Sequence, residues 1–106
     1  MERYKVDFES IEWESPARGI RQKVFRGDSK QLRMVEYSKE MEPHWCNRGH
    51  YGGILQGRFE IEFEGGSAVF EAGDGLFIPE GEGHRHRARV MSEAVLALFV
   101  EDLPLP

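Results

Sequence analysis

The chain has 106 residues, of which 40% are hydrophobic and 31% charged, with a formal net charge of −5. That length holds one core with little room for a second, and the composition suits a folded globular chain, not a disordered one. The acidic balance argues against nonspecific nucleic-acid binding, which needs a basic surface, and no run approaches the roughly 20 apolar residues that span a bilayer.

Residues 1 to 19 read as an N-terminal arm carrying Phe8 and Trp13. These are large apolar groups to leave in solvent, so the arm is expected to cover a sheet edge or a partner subunit. Ile20 to Arg26 reads as a strand. Lys30 to Met41 reads as another, with Leu32, Met34 and Glu36 alternating against Arg33, Val35 and Tyr37, until Pro43 breaks it. Asn47-Arg48-Gly49 is a bend. Small and apolar residues run from Gly52 to Gln56, and Gly57 marks a kink.

The clearest period follows, where Phe59, Ile61 and Phe63 alternate with Arg58, Glu60, Glu62 and Glu64. Gly65-Gly66 suits the positive φ of a tight hairpin, and Ala68 to Glu71 returns from it. Gly73-Asp74-Gly75 turns the chain into Leu76-Phe77-Ile78, Pro79 ends that strand, and Glu80 to Gly83 is a loop. Next, His84, His86, Ala88 and Val90 share one face, with Arg85, Arg87 and Arg89 on the other. Met91 to Phe99 has the Ala and Leu content of a helix, but its place after a series of short strands favours β. Short strands between Gly and Pro turns point to an all-β sandwich or barrel. The expected organisation is one domain over residues 1–106, with its core at about 30–100.

Four residues suited to a borderline metal fall in two clusters: His44, Cys46 and His50, then His84. Residues i and i+2 of a strand share a face, so His44 and Cys46 are expected to project together. His50, past the bend, and His84, opening an alternating strand, can reach the same point. Imidazole with thiolate suits zinc, iron, nickel or copper, whereas calcium and magnesium prefer oxygen. The competing reading is a polar cavity wall that no longer holds a metal, with Cys46 as a small buried hydrophobe. His86 reads as a hydrogen-bonded wall of the pocket, the alternative being a substrate-facing acid or base.

The stripes Glu60-Glu62-Glu64 and Arg85-Arg87-Arg89 read as outer sheet faces. An anion-binding patch is the alternative for the arginines. Gly52-Gly53 and the glycines from 73 to 83 read as turn residues, because no Lys-Ser or Lys-Thr helix start follows them. The start of the chain has no apolar secretory run, and a lone cysteine cannot form an internal disulfide. A reducing, cytoplasmic location is therefore expected.

The order of these residues resembles the cupin superfamily over about residues 30 to 100. Its second motif is complete as Gly73, Pro79, Gly81 and His84, with Ala88 where an Asn often follows. Its first motif keeps its spacing as His44, Cys46, His50 and Gly57, with Cys in place of the second His and His in place of Glu. The resemblance implies a small double-stranded β-helix (jelly-roll) barrel, usually a homodimer, with one divalent transition metal inside one mouth. The substitutions shift the donor set toward sulfur, favouring a softer metal over manganese. Three histidines would leave coordination positions open, whereas an added thiolate could close a zinc site into a structural staple.

The function implied is a metal-binding cupin that binds or transforms a small oxygen-rich organic molecule, by dioxygenase, isomerase or lyase chemistry. The expected partner is this small-molecule ligand, with no nucleic acid and no membrane. Two alternatives stand beside it: a non-catalytic module that senses a small ligand, and a structural barrel with a zinc staple.

Overall fold

A computed structural model of the chain describes residues 2–103. The Pro104-Leu105-Pro106 end lies outside the described residues. Nine strands follow in chain order: β1 (Glu14–Ala17), β2 (Ile20–Arg26), β3 (Lys30–Ser38), β4 (His50–Gln56), β5 (Arg58–Phe63), β6 (Gly66–Glu71), β7 (Gly75–Ile78), β8 (His86–Val90) and β9 (Ala94–Asp102). Among the described residues, helix is limited to 3-10 turns at Glu2–Tyr4, Phe8–Ser10 and Glu82–His84.

The strands form two antiparallel sheets, one ordered β1-β2-β3-β9-β4-β7 and the other β6-β5-β8. This is the all-β jelly-roll architecture expected from the sequence. Its inner faces meet over Val35, Ile54, Val95, Ala97 and Phe99 from the larger sheet and Phe59 and Ile61 from the smaller. Period-2 alternation explains the choice: along β9, Val95, Ala97, Phe99 and Glu101 are buried while the residues between them are more exposed. The ambiguous stretch from Met91 to Phe99 is strand, because that alternation lets β9 pair with both β3 and β4.

Several local expectations shift. The hairpin between β5 and β6 turns at Glu64 and Gly65, one residue early, and Gly66 opens β6 with a positive φ of 149°. Gly52 and Gly53 are not turn residues but lie inside β4, where a Cβ on Gly52 would meet the Leu98 carbonyl oxygen at 1.9 Å. Only a bare backbone allows β9 that close. Gly57 forms the expected kink, with φ of 85° and the Ala94 carbonyl 2.0 Å from where its Cβ would sit.

The arm contributes β1 to the sheet edge and packs Trp13 on the outer face of β2. There the Arg21 guanidinium lies 4.2 Å and the Lys23 ammonium 5.0 Å from the Trp13 ring. Lys23 also donates to the Phe8 carbonyl at 2.8 Å. On the smaller sheet, the stripes of opposite charge sit side by side. Arg89 pairs with Glu60, Arg87 with Glu62 and Arg85 with Glu64, at 3.0, 2.7 and 2.7 Å. Such exposed cross-strand pairs contribute about 0.2–1 kcal/mol each. With each arginine matched to a glutamate, the anion-patch alternative loses its uncompensated charge.

Candidate metal centre and cavity

The segment from Glu42 to Gly49 is not a strand; its one β contact is an isolated bridge between Cys46 and His86. The Cys46 N–H donates to the His86 carbonyl at 2.8 Å, and the His86 N–H to the Cys46 carbonyl at 2.9 Å. The segment is held from its other side as well. Gly81 N–H donates to the Asn47 carbonyl at 2.9 Å, and Gly49 N–H to the Glu80 carboxylate at 2.8 Å. These ties fix a loop with little regular structure against the start of β8. His50 then opens β4 and faces inward.

Cys46, His50 and His86 thereby each offer one donor atom, all within 4.8 Å of one another. The His50 ring is 5.2 Å from the His86 ring, edge-on, and stacks on Phe99 at 5.1 Å. The outward nitrogens of both imidazoles are engaged. His50 Nδ1 lies 2.7 Å from the Glu101 carboxylate, and His86 Nδ1 lies 3.0 Å from the His84 carbonyl. With Nδ1–H donated in each ring, Nε2 is the nitrogen left toward the centre, and an anchored ring of this kind is the usual support for a metal-binding imidazole.

Glu101 is the hub of this support. Only 1% of its side chain is exposed, and it accepts from Arg33 Nε at 3.0 Å, Arg33 Nη2 at 2.8 Å and Gln31 Nε2 at 2.7 Å besides His50. Burial alone would raise its pKa, but hydrogen bonds from His50, Arg33 and Gln31 outweigh that and hold the carboxyl well below the usual carboxylate range. The strand register explains the meeting: Gln31 lies opposite Glu101 and Arg33 opposite Phe99 across β3 and β9.

The donors are electrostatically coupled. The hydrogen bond with His50 lowers the Cys46 thiol, against burial that raises it. Burial would lower His50, but its bonds to Cys46 and Glu101 raise it. Burial lowers His86 and favours its neutral ring. A thiol drawn toward thiolate beside a neutral imidazole is a donor set suited to a borderline metal. The chemistry of these residues fits the group that the sequence resemblance implies.

The structure places the other two sequence candidates differently. His44 lines the same cavity but lies outside the three-donor group, and its side chain approaches the Glu42 carbonyl at 3.4 Å. His84 is exposed on the 3-10 turn Glu82–His84, and what it offers the centre is its backbone carbonyl, which holds His86. His86, read from the sequence as pocket wall, supplies the third donor. Sequence reasoning did not find Glu101, Arg33 or Gln31. Their signal was present: each falls on the inward phase of its strand, in step with Val35 or Phe99.

The donors open on a cavity of about 180 Å³, bounded by Ile20, Tyr37, Met41, Ile61, Leu76 and Phe99 among others. Among the described residues, two buried side-chain polar atoms, Gln31 Oε1 and Arg48 Nε, have no hydrogen-bond partner.

The cupin-domain family model matches residues 32–101. Among solved structures, the chain is similar to KdgF from a Halomonas species, at 22% identity and a TM-score of 0.74, covering 92% of this chain and 90% of that one. It is similar to the polyketide cyclase RemF from Streptomyces resistomycificus, at 19% identity and a TM-score of 0.75, covering 96% and 80%. An RmlC-like cupin from Shewanella frigidimarina matches at 16% identity and a TM-score of 0.72, covering 93% and 89%. No curated protein sequence matches the chain. Identities this low establish the fold and leave the chemistry to the site.

Proposed function

The chain belongs to the cupin-domain family, and from that premise we propose that it binds one divalent transition metal through Cys46, His50 and His86 and uses it to bind or transform a small oxygen-rich organic molecule. The observation that carries this reading is the convergence of three soft or borderline donors within 4.8 Å, with both imidazoles anchored from behind. Zinc, iron, nickel and copper all suit such a set. Bound there, the metal would act as a Lewis acid toward an oxygen of the ligand.

The protein's own part is to hold the two rings in one tautomer, lower the Cys46 thiol through its bond to His50, and enclose the ligand in a largely apolar cavity. Dioxygenase, isomerase and lyase chemistry are each compatible with that arrangement. Sensing without turnover is too. The neighbours differ among themselves: one is a polyketide cyclase and another an RmlC-like cupin. Three donors leave a tetrahedral metal one open position, which favours a working site over a closed zinc staple. A thiolate ligand also suits a reducing compartment such as the cytoplasm, and we carry a homodimer as the assembly.

Metal analysis tests the proposal. After challenge with zinc, iron, nickel and copper, the wild-type chain is expected to retain about one equivalent of metal. Cys46→Ala, His50→Ala and His86→Ala should each lose most of it, while His84→Ala keeps it, because a carbonyl survives the substitution. A wild-type chain that stays metal-free sinks the reading. Loss in His84→Ala equal to that in His86→Ala would assign the site to the sequence motif instead. Ligand-dependent oxygen uptake or isomer formation by the loaded protein would then distinguish turnover from sensing.

A further inference from the structure

The cavity differs in charge from the chain around it. The protein carries a net charge of −5, yet the cavity is lined by Arg33, Arg48 and Arg87 and three histidines, with no Asp or Glu among the described lining residues. Two of these arginines are committed elsewhere. Arg33 is bound by the Glu101 carboxylate, and Arg87 pairs with Glu62 at 2.7 Å while lying over the Trp45 ring.

Arg48 is different. Its Nη2 makes only a long ion pair, 3.6 Å from Glu101 Oε1, and its Nε is buried without a hydrogen-bond partner. A buried guanidinium N–H left unpaired is costly, and the group matched to its planar fork is a carboxylate. Arg48 also sits in sequence between Cys46 and His50, and its backbone N–H approaches the Cys46 sulfur at 3.4 Å. Arg48 lines the same cavity as the three donors.

We infer that the cavity takes a small organic acid, whose carboxylate is received by Arg48. This names the ligand class of the site proposed above, and its metal-facing half rests on that reading. The size is set by the enclosure: about 180 Å³ is below the roughly 300–1,000 Å³ of pockets that take drug-sized ligands. The other two cavity arginines are already matched to Glu101 and Glu62, and Met41, Ile61, Leu76 and Phe99 add apolar wall, so the acid carries one carboxylate on a short body.

Calorimetric titration provides the test. Acetate, glycolate and pyruvate, with acetamide and glycolamide as uncharged counterparts, are titrated into metal-free and zinc-loaded protein. The carboxylates are expected to bind wild type at least about tenfold more tightly than the amides. Arg48→Met should weaken carboxylate binding about 10- to 100-fold, the worth of a charge-assisted hydrogen bond, with zinc content unchanged. Arg48→Lys should recover part of the loss, as a point charge without the fork. The inference is overturned if no carboxylate binds, if the amides bind as well, or if both Arg48 variants bind carboxylates like wild type. Failure of the metal reading looks different: a chain that takes up no zinc but still binds carboxylates through Arg48 loses the metal centre and keeps this site.

Discussion

Glu101 joins stability and site in one side chain. Its carboxylate neutralises Arg33 and holds His50 through Nδ1. Breaking a buried ion pair by removing one partner typically costs about 3–5 kcal/mol. Glu101→Gln is therefore expected to lower unfolding free energy by about that amount in urea titration, and to weaken zinc binding about 10- to 100-fold through loss of the anchor. The paired substitution Arg33→Met with Glu101→Leu should recover much of the stability and none of the zinc affinity, which separates the two roles. Of this centre, the sequence shows Cys46 and His50 through motif spacing. It does not show that His86 replaces His84. That choice depends on the 3-10 turn Glu82–His84, which delays β8 until His86, and no motif spacing encodes a turn of that kind. Glu101 was passed over because it follows the apolar run Val95 to Val100 and only its inward phase marks it.

At the scale of elements, the glycines in and after β4 set how closely strands approach. Gly52→Ala places a methyl against the Leu98 carbonyl, and such overpacking costs about 1–3 kcal/mol. Gly57→Ala adds positive-φ strain of about 1–3 kcal/mol. Gly65→Ala, in the β5–β6 hairpin, meets nothing within 4 Å and should fall within about 0.5 kcal/mol of wild type. Thermal unfolding of the three variants checks this ordering. Strands with strict alternation were legible: β2 runs from Ile20 to Arg26 as read, and β5 lies within the expected run. β1 was not, because Glu14-Ser15-Pro16-Ala17 is wholly exposed and contains a proline, as an edge strand tolerates. The segment from His44 to Cys46 failed as a strand for the opposite reason. Its geometry comes from one bridge and two loop contacts, all of them non-local.

The whole molecule presents an outer face that its arm covers at one side. Trp13 packs over β2, while at the far edge of the same sheet Phe77 is 79% exposed, with the Tyr51 ring tilted against it at 4.6 Å. The homodimer carried with the proposed function would bury this end. Light scattering is expected to give twice the 12.2 kDa chain mass, and Phe77→Asp should shift the population toward single chains with the fold intact. A monomeric wild type would remove the dimer from the proposal. Among the described residues, no helix is long and apolar enough to cross a membrane.

The place of β9 in the larger sheet has a consequence for biosynthesis. This last strand lies between β3 and β4, which have no pairing with each other. Until β9 is made, the two halves of the sheet cannot join, and His50 has no carboxylate behind it. Closing contacts over some seventy residues of separation is the slow part of folding in such topologies. A nascent chain still lacking Glu101 therefore carries Cys46, His50 and His86 without the order that makes them a centre. Under the proposed metal reading, capture would be coupled to insertion of β9.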